Sequence, residues 1–283
     1  AMGALAWGIG STEAEHARAT GTLRVSRPTT MRVTFDGRLP AGVGAKDLSL
    51  ALIGRHGAVG GNGYAIEYAG PAVRDLEIEA RLTLCNMATE FSAMTGMIAP
   101  DDKTFAYLEG RRYAPKGASW EAAVAHWRTL VSDDGAHFDR ELTIAADELA
   151  PMVTWGTSPQ HAVRISGRVP EQAASGTSPE AYERALAYMG LEPGQSMQSL
   201  AIGAAFIGSC TNSRISDLRR AAAVLRGRRV AAGVRAICVP GSMAVKRQAE
   251  AEGLDRMFLE AGFEWRESGC SMCVGMNGDL LAP

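Results

Sequence analysis

Hydrophobic and polar residues are arranged along the first half of the chain in patterns that predict both strands and helices. Met31, Val33 and Phe35 alternate with Arg32 and Thr34, which predicts a strand from residue 30 to 35. The same reading predicts a helix over 46–53, a strand over 64–68, and helices over 78–94 and 120–131. This half of the chain therefore mixes the two kinds of element.

The second half changes to a regular alternation of strands and helices. Residues 170–179 are rich in Ala, Ser, Gly and Pro, which predicts a surface loop. Beyond that loop we predict strands over 201–207, 234–239 and 263–266, with a helix capped by Ser213 in the first interval and a helix over 244–252 in the second. Strand–helix–strand units in succession are typical of a parallel sheet with crossover helices, and they indicate an α/β fold.

Three of the five cysteines occupy positions that suggest chemistry. Cys210 follows the first strand of this sheet, whereas Cys270 and Cys273 follow the third. Because parallel strands end at one edge of a sheet, we expect all three thiols at that edge. The Cys-x-x-Cys pair alone fits a redox couple or half of a zinc site, but no histidine lies near any of the three. An iron–sulfur cluster that only transfers electrons normally has four cysteine ligands. Three thiolates therefore favour a cluster in which one iron has no protein ligand.

The other two cysteines have a simpler interpretation. Cys238 lies inside an apolar strand and Cys85 lies within a predicted helix, so we expect both to pack in the core. The glycine-rich stretch 54–63 lacks the Gly-Lys-Ser/Thr ending of a nucleotide loop. An arginine-rich stretch at 219–229 is interpreted as a solvated face.

Composition and charge exclude several functional classes. The chain has 283 residues, of which 46% are hydrophobic and 21% charged, as expected for a packed protein. Its formal net charge is −2, and no apolar run approaches the ~20 residues of a membrane helix. We therefore expect neither nucleic acid nor a membrane as a partner. Clustered free thiols indicate a reducing compartment, with the cytoplasm as the default.

Several motifs together resemble one protein family. Gly208-Ser209-Cys210-Thr211-Asn212-Ser213 and Gly269-Cys270-Ser271-Met272-Cys273 are similar to the cluster-binding motifs of the aconitase superfamily. Four further stretches resemble the large subunits of bacterial 3-isopropylmalate dehydratases: Glu67-Tyr68-Ala69-Gly70-Pro71, Leu84-Cys85-Asn86-Met87-Ala88-Thr89-Glu90, Val153-Thr154-Trp155-Gly156-Thr157-Ser158-Pro159 and Ala261-Gly262-Phe263-Glu264-Trp265-Arg266. The similarity runs essentially from end to end.

The resemblance implies an aconitase-like fold and a specific cofactor. By it, Cys210, Cys270 and Cys273 hold a [4Fe–4S] cluster in which one iron has no cysteine ligand and acts as a Lewis acid on the substrate's hydroxyl group. It also implies three domains: the end of domain 1 over residues 1–30, an α/β domain 2 over 31–152, and a domain 3 over 153–283 that carries the cysteines.

Two polar residues complete the expected site. Asn86 and Glu90 match the family's Asn-Met-x-x-Glu segment, and the resemblance gives them the role of orienting water and the substrate hydroxyl. At positions i and i+4 we expect them to share one face of the helix 78–94. Without the resemblance, a solvated helix face would be the preferred interpretation.

The implied reaction converts 2-isopropylmalate to 3-isopropylmalate by dehydration and rehydration, a step of leucine biosynthesis. A separate small subunit, in a heterodimer or heterotetramer, is implied to supply the catalytic base. The chain also lacks flanking segments of the family pattern, so we expect it to be inactive alone, with a labile or absent cluster.

Other functions remain open at this point. A hydro-lyase acting on homoaconitate or a citramalate-type substrate is the nearest alternative, because the large-subunit motifs hardly distinguish these substrates. An RNA-binding relative without a cluster is disfavoured by the near-neutral charge. An electron-transfer or structural metal protein would normally supply a fourth thiolate.

Overall fold

The computed structural model describes residues 4–275 and 278–281 of the chain. Internal contacts divide it into two compact units, residues 1–199 and 200–283. Within the described residues, no helix is both long enough and apolar enough to cross a membrane. The expected family domains, with boundaries after residues 30 and 152, stay a prediction.

The first unit is built around a four-stranded sheet. Its helices are α1 Ser11–Thr20, α2 Ala45–His56, α3 Pro71–Asp75, α4 Ile78–Asn86, α5 Asp102–Leu108, α6 Ala118–Trp127 and α7 Pro179–Met189. Its strands are β1 Thr29–Asp36, β2 Tyr64–Ala69, β3 Thr95–Met97, β4 Arg140–Ala145, β5 Met152–Thr154 and β6 Ala162–Arg164. The sheet has the order β3-β2-β1-β4 with all pairs parallel, and β5 pairs with β6 antiparallel.

The core of the first unit follows from the alternation in β1. Met31, Val33 and Phe35 are fully buried, whereas Arg32 and Thr34 on the other face are half-buried. Helix α2 is buried over the consecutive residues 48–53, and Leu48 and Ile53 belong to the same hydrophobic core. The predicted strand and the predicted helix 46–53 are both confirmed, and the helix extends further at each end.

The second unit has the parallel arrangement that its sequence predicts. Its strands are β7 Ala204–Gly208, β8 Arg235–Val239 and β9 Phe263–Trp265, and its helices are α8 Ser209–Asn212, α9 Ile215–Leu225, α10 Met243–Ala251 and α11 Leu254–Ala261. The strands pair in the order β7-β8-β9, all parallel. The sequence analysis did not predict α11, although Leu254, Phe258 and Ala261 are buried at helical spacing.

Three local predictions are wrong. The helix expected over 120–131 ends at Trp127, and Leu130 and Val131 are exposed. The helix expected over 78–94 ends at Asn86, and residues 87–92 form turns instead. Ser213 does not cap α9: the N-cap is Arg214, whose backbone N–H donates to the Asp217 carboxylate at 3.1 Å. Ser213 directly follows α8, and its side chain is fully buried.

Packing of Phe91 explains the early end of α4. Its ring lies so close to Gly60 that a Cβ on that glycine would be 2.4 Å from the ring. The backbone N–H of Gly61 donates to the Phe91 carbonyl at 2.9 Å, which fixes the turn against the glycine-rich stretch. From Ala88 onward the backbone bonds tighten to i→i−3 spacing, with Ala88 donating to Cys85 at 3.3 Å.

Candidate functional site

The three strands of the second unit end side by side, and this edge carries the thiols. In the parallel register Gly208 pairs with Val239, and Cys238 pairs with Trp265. Cys210 lies in α8, a single helical turn directly after β7. Because α8 has only four residues, it forms a tight corner rather than a helix with an extended surface.

The cysteine pair lies in the segment that follows β9. Ser271–Cys273 forms one 3₁₀ turn, and that turn contacts β7. The prediction that both cysteine groups follow strands at one edge of a parallel sheet is thereby confirmed. The geometric reason is that all crossovers in this unit return the chain to the opposite edge before the next strand begins.

Both cysteine segments contain a serine in a disfavoured backbone conformation. Ser209, just before Cys210, has φ of 107°, and Ser271, just after Cys270, has φ of 48°. Both serines are buried, at 5% and 3% exposure. L-residues other than glycine rarely adopt positive φ, and such residues persist only where the surroundings fix them. The backbone beside the thiols is therefore held in place by its neighbours.

A glycine that the sequence analysis did not single out supports the Cys210 corner. Gly241 follows β8, and its N–H donates to the Ser213 carbonyl at 2.8 Å. A Cβ at this position would lie 2.9 Å from that carbonyl and 3.1 Å from the carbonyl of Ser209. The sequence signal that could have identified this position is the Pro-Gly pair after the predicted strand 234–239, which is typical of a tight turn.

The five cysteines divide into exposed and packed thiols. All five are free, and Cys210, Cys270 and Cys273 are exposed. Cys238 is fully buried in β8, and burial raises the pKa of its thiol to about 12. Burial also raises the pKa of Cys85, which packs against the core of the first unit. The expectation that these two are packing residues is confirmed, which leaves three thiols available as ligands.

Charged residues surround the base of the cysteine-pair turn. Arg235 donates from Nε to Glu264 at 2.8 Å and from Nη2 to Asp279 Oδ1 at 3.3 Å. Arg266 donates from Nη2 to the same Asp279 oxygen at 3.2 Å. The hydrogen bond from Ser271 lowers the pKa of Asp279, partial desolvation opposes this, and the two arginines add to the lowering. Asp279 is therefore an anion held in a cationic setting.

The donor set of this edge fits an iron–sulfur group. Three free thiols are the soft ligands such a group needs. Among the described residues, the segments that carry them also contain buried polar atoms without a hydrogen-bond partner, namely Asn212 Oδ1, Ser213 Oγ, Arg266 Nε and Ser268 Oγ. Buried polar atoms left unpaired need an explanation, and a bound group at this edge would supply one.

No set of ligands for a single ion is preassembled. Within residues 4–275 and 278–281, no three His, Cys, Asp or Glu side chains are arranged to hold one metal ion. A cluster of several irons separates its thiolate ligands more widely than one ion does. The donor chemistry, rather than the spacing for a single ion, is therefore what matches at this edge.

Asn86 and Glu90 lie in the first unit, on the turn that ends α4. Asn86 is the last residue of the helix, and Glu90 lies four residues further on in the turns. They do not share a helix face, because the helix ends between them. Both are exposed, while Met87 and Phe91 beside them are buried. Their joint role with the thiols of the second unit stays a prediction.

Comparison with known proteins agrees with these features. Residues 1–283 match the aconitase family (aconitate hydratase). The chain belongs to the aconitase family. It is 58% identical, over its whole length, to a Bradyrhizobium diazoefficiens protein named 3-isopropylmalate dehydratase large subunit 1. It spans 60% of the length of that relative.

Membership of the aconitase family confirms the resemblance found in the sequence motifs. It also confirms the α/β fold class, whose parallel sheets flanked by helices are seen in both units. The family and the relative imply an iron–sulfur cluster. The thiols at the sheet edge of the second unit are the residues of this chain that suit such a cluster.

Proposed function

We propose that this chain is part of the large subunit of an iron–sulfur hydro-lyase that isomerises 2-isopropylmalate to 3-isopropylmalate in leucine biosynthesis. The observation that carries the proposal is the 58% identity, along the whole chain, to a protein named as a 3-isopropylmalate dehydratase large subunit. The exposed thiols at the sheet edge support it, since they supply the ligands that such a reaction needs.

In this proposal Cys210, Cys270 and Cys273 hold a [4Fe–4S] cluster in which one iron has no protein ligand. When bound, the cluster supplies a Lewis acid that helps hydroxide to leave. The protein's own part is to present three thiolates from two segments and to offer no fourth cysteine, since Cys85 and Cys238 are packed in the two cores. An open coordination position is thereby kept for the substrate.

Asn86 and Glu90 are proposed to orient water and the substrate's hydroxyl group. The Asn86 amide can donate and accept hydrogen bonds, whereas an ionised Glu90 carboxylate only accepts. Their exposure on a turn whose apolar residues are buried supports this role, because a fixed backbone presents the polar side chains outward.

The proposal includes a small subunit as partner, in a heterodimer or heterotetramer, because the relative is named a large subunit. That subunit is proposed to bring the base that removes the proton next to the carboxylate. Five free cysteines support the cytoplasm as the place of action.

A reconstitution experiment tests the proposal. The intact large subunit is loaded anaerobically with iron and sulfide, and its iron and sulfide are counted. We expect mild oxidation with ferricyanide, which releases the iron without a cysteine ligand, to give a three-iron electron paramagnetic resonance signal that disappears when ferrous ion and a reductant are added. Each Cys→Ser variant at 210, 270 and 273 should lose iron, while Cys238→Ala, which removes a buried thiol of the same unit, should keep it.

Turnover with the small subunit identifies the substrate. We expect 2-isopropylmalate to be converted at a far higher kcat/KM than homoaconitate or citramalate. If homoaconitate or citramalate is preferred, the substrate assignment is wrong, whereas the assignment as a hydro-lyase is retained. A preparation that binds zinc tightly, or binds RNA and no iron, would overturn the proposal as a whole.

A further inference from the structure

The Cys270–Cys273 turn is tied to the rest of its unit by one buried hydrogen bond. The hydroxyl of Ser271 donates to Asp279 Oδ2 at 2.7 Å. Ser271 and Asp279 are 3% and 6% exposed, whereas the two cysteines beside Ser271 are exposed. The bond therefore lies beneath the turn, and the thiols lie on its outer side.

This hydrogen bond acts on a backbone position that needs support. Ser271 has φ of 48°, in the left-handed region that a residue with a Cβ rarely adopts. Within the turn, the Cys273 N–H donates to the Cys270 carbonyl at 3.0 Å. The Val274 N–H also donates to the Ser271 carbonyl at 3.4 Å. A residue in a disfavoured conformation persists only where its surroundings fix it, and the Ser271–Asp279 bond supplies such a contact from outside the turn.

The anchor is itself fixed to the sheet. Asp279 Oδ1 accepts from Arg235 at 3.3 Å and from Arg266 at 3.2 Å. Arg235 is the first residue of β8, and Arg266 directly follows β9. One carboxylate oxygen accepts from two arginines and the other accepts from the Ser271 hydroxyl. Both oxygens of the buried carboxylate therefore have hydrogen-bond donors, and the arginines balance its negative charge. The position of the turn is thus set by two strands.

We propose that Asp279 is the positioning residue of the cluster site. It holds Ser271 in the left-handed conformation, so that Cys270 and Cys273 are preset to bind iron. Asp279 is not a ligand, because both of its oxygens are directed to protein donors. The part of this inference that concerns iron rests on the proposed function; the part that concerns the turn does not.

Four variants of the intact protein separate positioning from general stability. Asp279→Ala removes the anchor, Ser271→Ala removes only the hydroxyl, and Asp279→Asn keeps an acceptor but loses the charge. Glu260→Gln is the control, since it removes one exposed carboxylate from α11 in the same unit. Thermal melting is recorded for each variant. If Asp279→Ala does not fold, the smaller changes Ser271→Ala and Asp279→Asn are used in its place.

Alkylation of the metal-free protein gives the first measurement. Iodoacetamide labelling, followed by peptide mass spectrometry, is expected to show faster labelling of Cys270 and Cys273 in Asp279→Ala and Ser271→Ala. Labelling of Cys210 should be unchanged in both. If Cys270 and Cys273 are labelled at the same rates in folded Asp279→Ala as in the native protein, the inference is overturned.

Iron retention gives the second measurement. The loss of iron to a chelator is expected to be about tenfold faster in Asp279→Ala than in the native protein, the size typical of lost outer-shell partners. The double variant Ser271→Ala, Asp279→Ala should lose iron no faster than Asp279→Ala alone, because Asp279→Ala already removes the hydrogen bond to Ser271.

A rescue variant distinguishes positioning from a loss of packing. Glycine adopts positive φ without strain, so Ser271→Gly in the Asp279→Ala background should slow both labelling and iron loss. Failure of this rescue would contradict the role assigned to the backbone conformation. If the native protein binds no iron, the proposed function fails, and the labelling experiment still decides the role of Asp279.

Discussion

At the scale of single residues, His161 shows how burial changes the chemistry of one side chain. It is 3% exposed, and its ring stacks on Trp155 with a centroid distance of 4.3 Å. Within the described part of the chain, neither ring nitrogen has a hydrogen-bond partner. Burial lowers the pKa of this histidine below its ordinary 6.5, because the charged form would lose its hydration without compensation.

This histidine predicts a pH dependence of stability. The unfolded chain takes up a proton on residue 161 below about pH 6.5, whereas the folded chain resists it. The histidine's contribution is therefore fully present above that pH and is lost as the pH falls. We expect His161→Phe, which keeps a ring against Trp155, to reduce the loss of folding free energy between pH 7 and pH 5.

Urea unfolding across this pH range is the measurement. His16→Phe, on the exposed face of α1, is the matched control and should leave the pH dependence as it is in the native protein. His56, whose pKa is also lowered by burial and then by Arg140 and Arg55, contributes equally in all three proteins. An unchanged slope in His161→Phe would show that this residue is solvated.

At the scale of elements, contacts between distant segments decide where helices end. The apolar pattern over 78–94 is compatible with one long helix, and sequence reasoning accordingly predicts one. The helix ends at Asn86 because Phe91 packs against Gly60 and Gly61, about thirty positions earlier in the chain. Nothing in the local sequence around Phe91 identifies those partners. Two glycines of the stretch 54–63, Gly60 and Gly61, are thereby explained by packing.

A substitution at Gly60 tests this explanation. A Cβ there would lie 2.4 Å from the Phe91 ring and 2.8 Å from the His56 carbonyl. We expect Gly60→Ala to lower the free energy of unfolding by about 1–3 kcal/mol, the range for overpacking a dense core. Gly8→Ala is the control, because a Cβ there meets nothing within 4 Å. Equal urea midpoints for the two variants would contradict the packing account.

Other elements were predictable because their signals are local. The order β7, α9, β8, α10, β9 follows from apolar runs that alternate with helical spacing, and the parallel sheet follows from that order. The positive φ of Ser209 and Ser271 was not predictable, because serine is no marker of that conformation. The anchor at Asp279 was missed for the same reason: its partners come from two strands and a turn.

At the scale of the whole molecule, the expected catalytic residues are divided between the two units. Asn86 and Glu90 belong to residues 1–199, and the three thiols belong to residues 200–283. In the proposed function the thiols bind the cluster, whereas Asn86 and Glu90 act on the substrate. Substitution of Asn86 or Glu90 should therefore abolish turnover without loss of iron. Turnover and iron content, measured on the same variants, test this consequence of the proposed function.

We expect Asn86→Ala and Glu90→Gln, in the intact protein with its small subunit, to lower kcat by at least about 100-fold, as for loss of a group active in proton transfer or orientation. Iron content and the resonance signal should remain native. Glu121→Gln, which removes an exposed carboxylate from α6, is the charge-matched control and should keep native turnover. Native turnover in Glu90→Gln would remove that residue from the proposed site.

The sequence by itself determined which thiols are available and that they follow the ends of parallel strands, since spacing and apolar pattern are properties of neighbouring residues. It also placed the chain in its family through several motifs in order. Only the tertiary structure decided where α4 ends, how Ser271 is held and which carboxylate anchors it. Those outcomes depend on contacts between residues far apart in the chain, whose free energy no local pattern encodes.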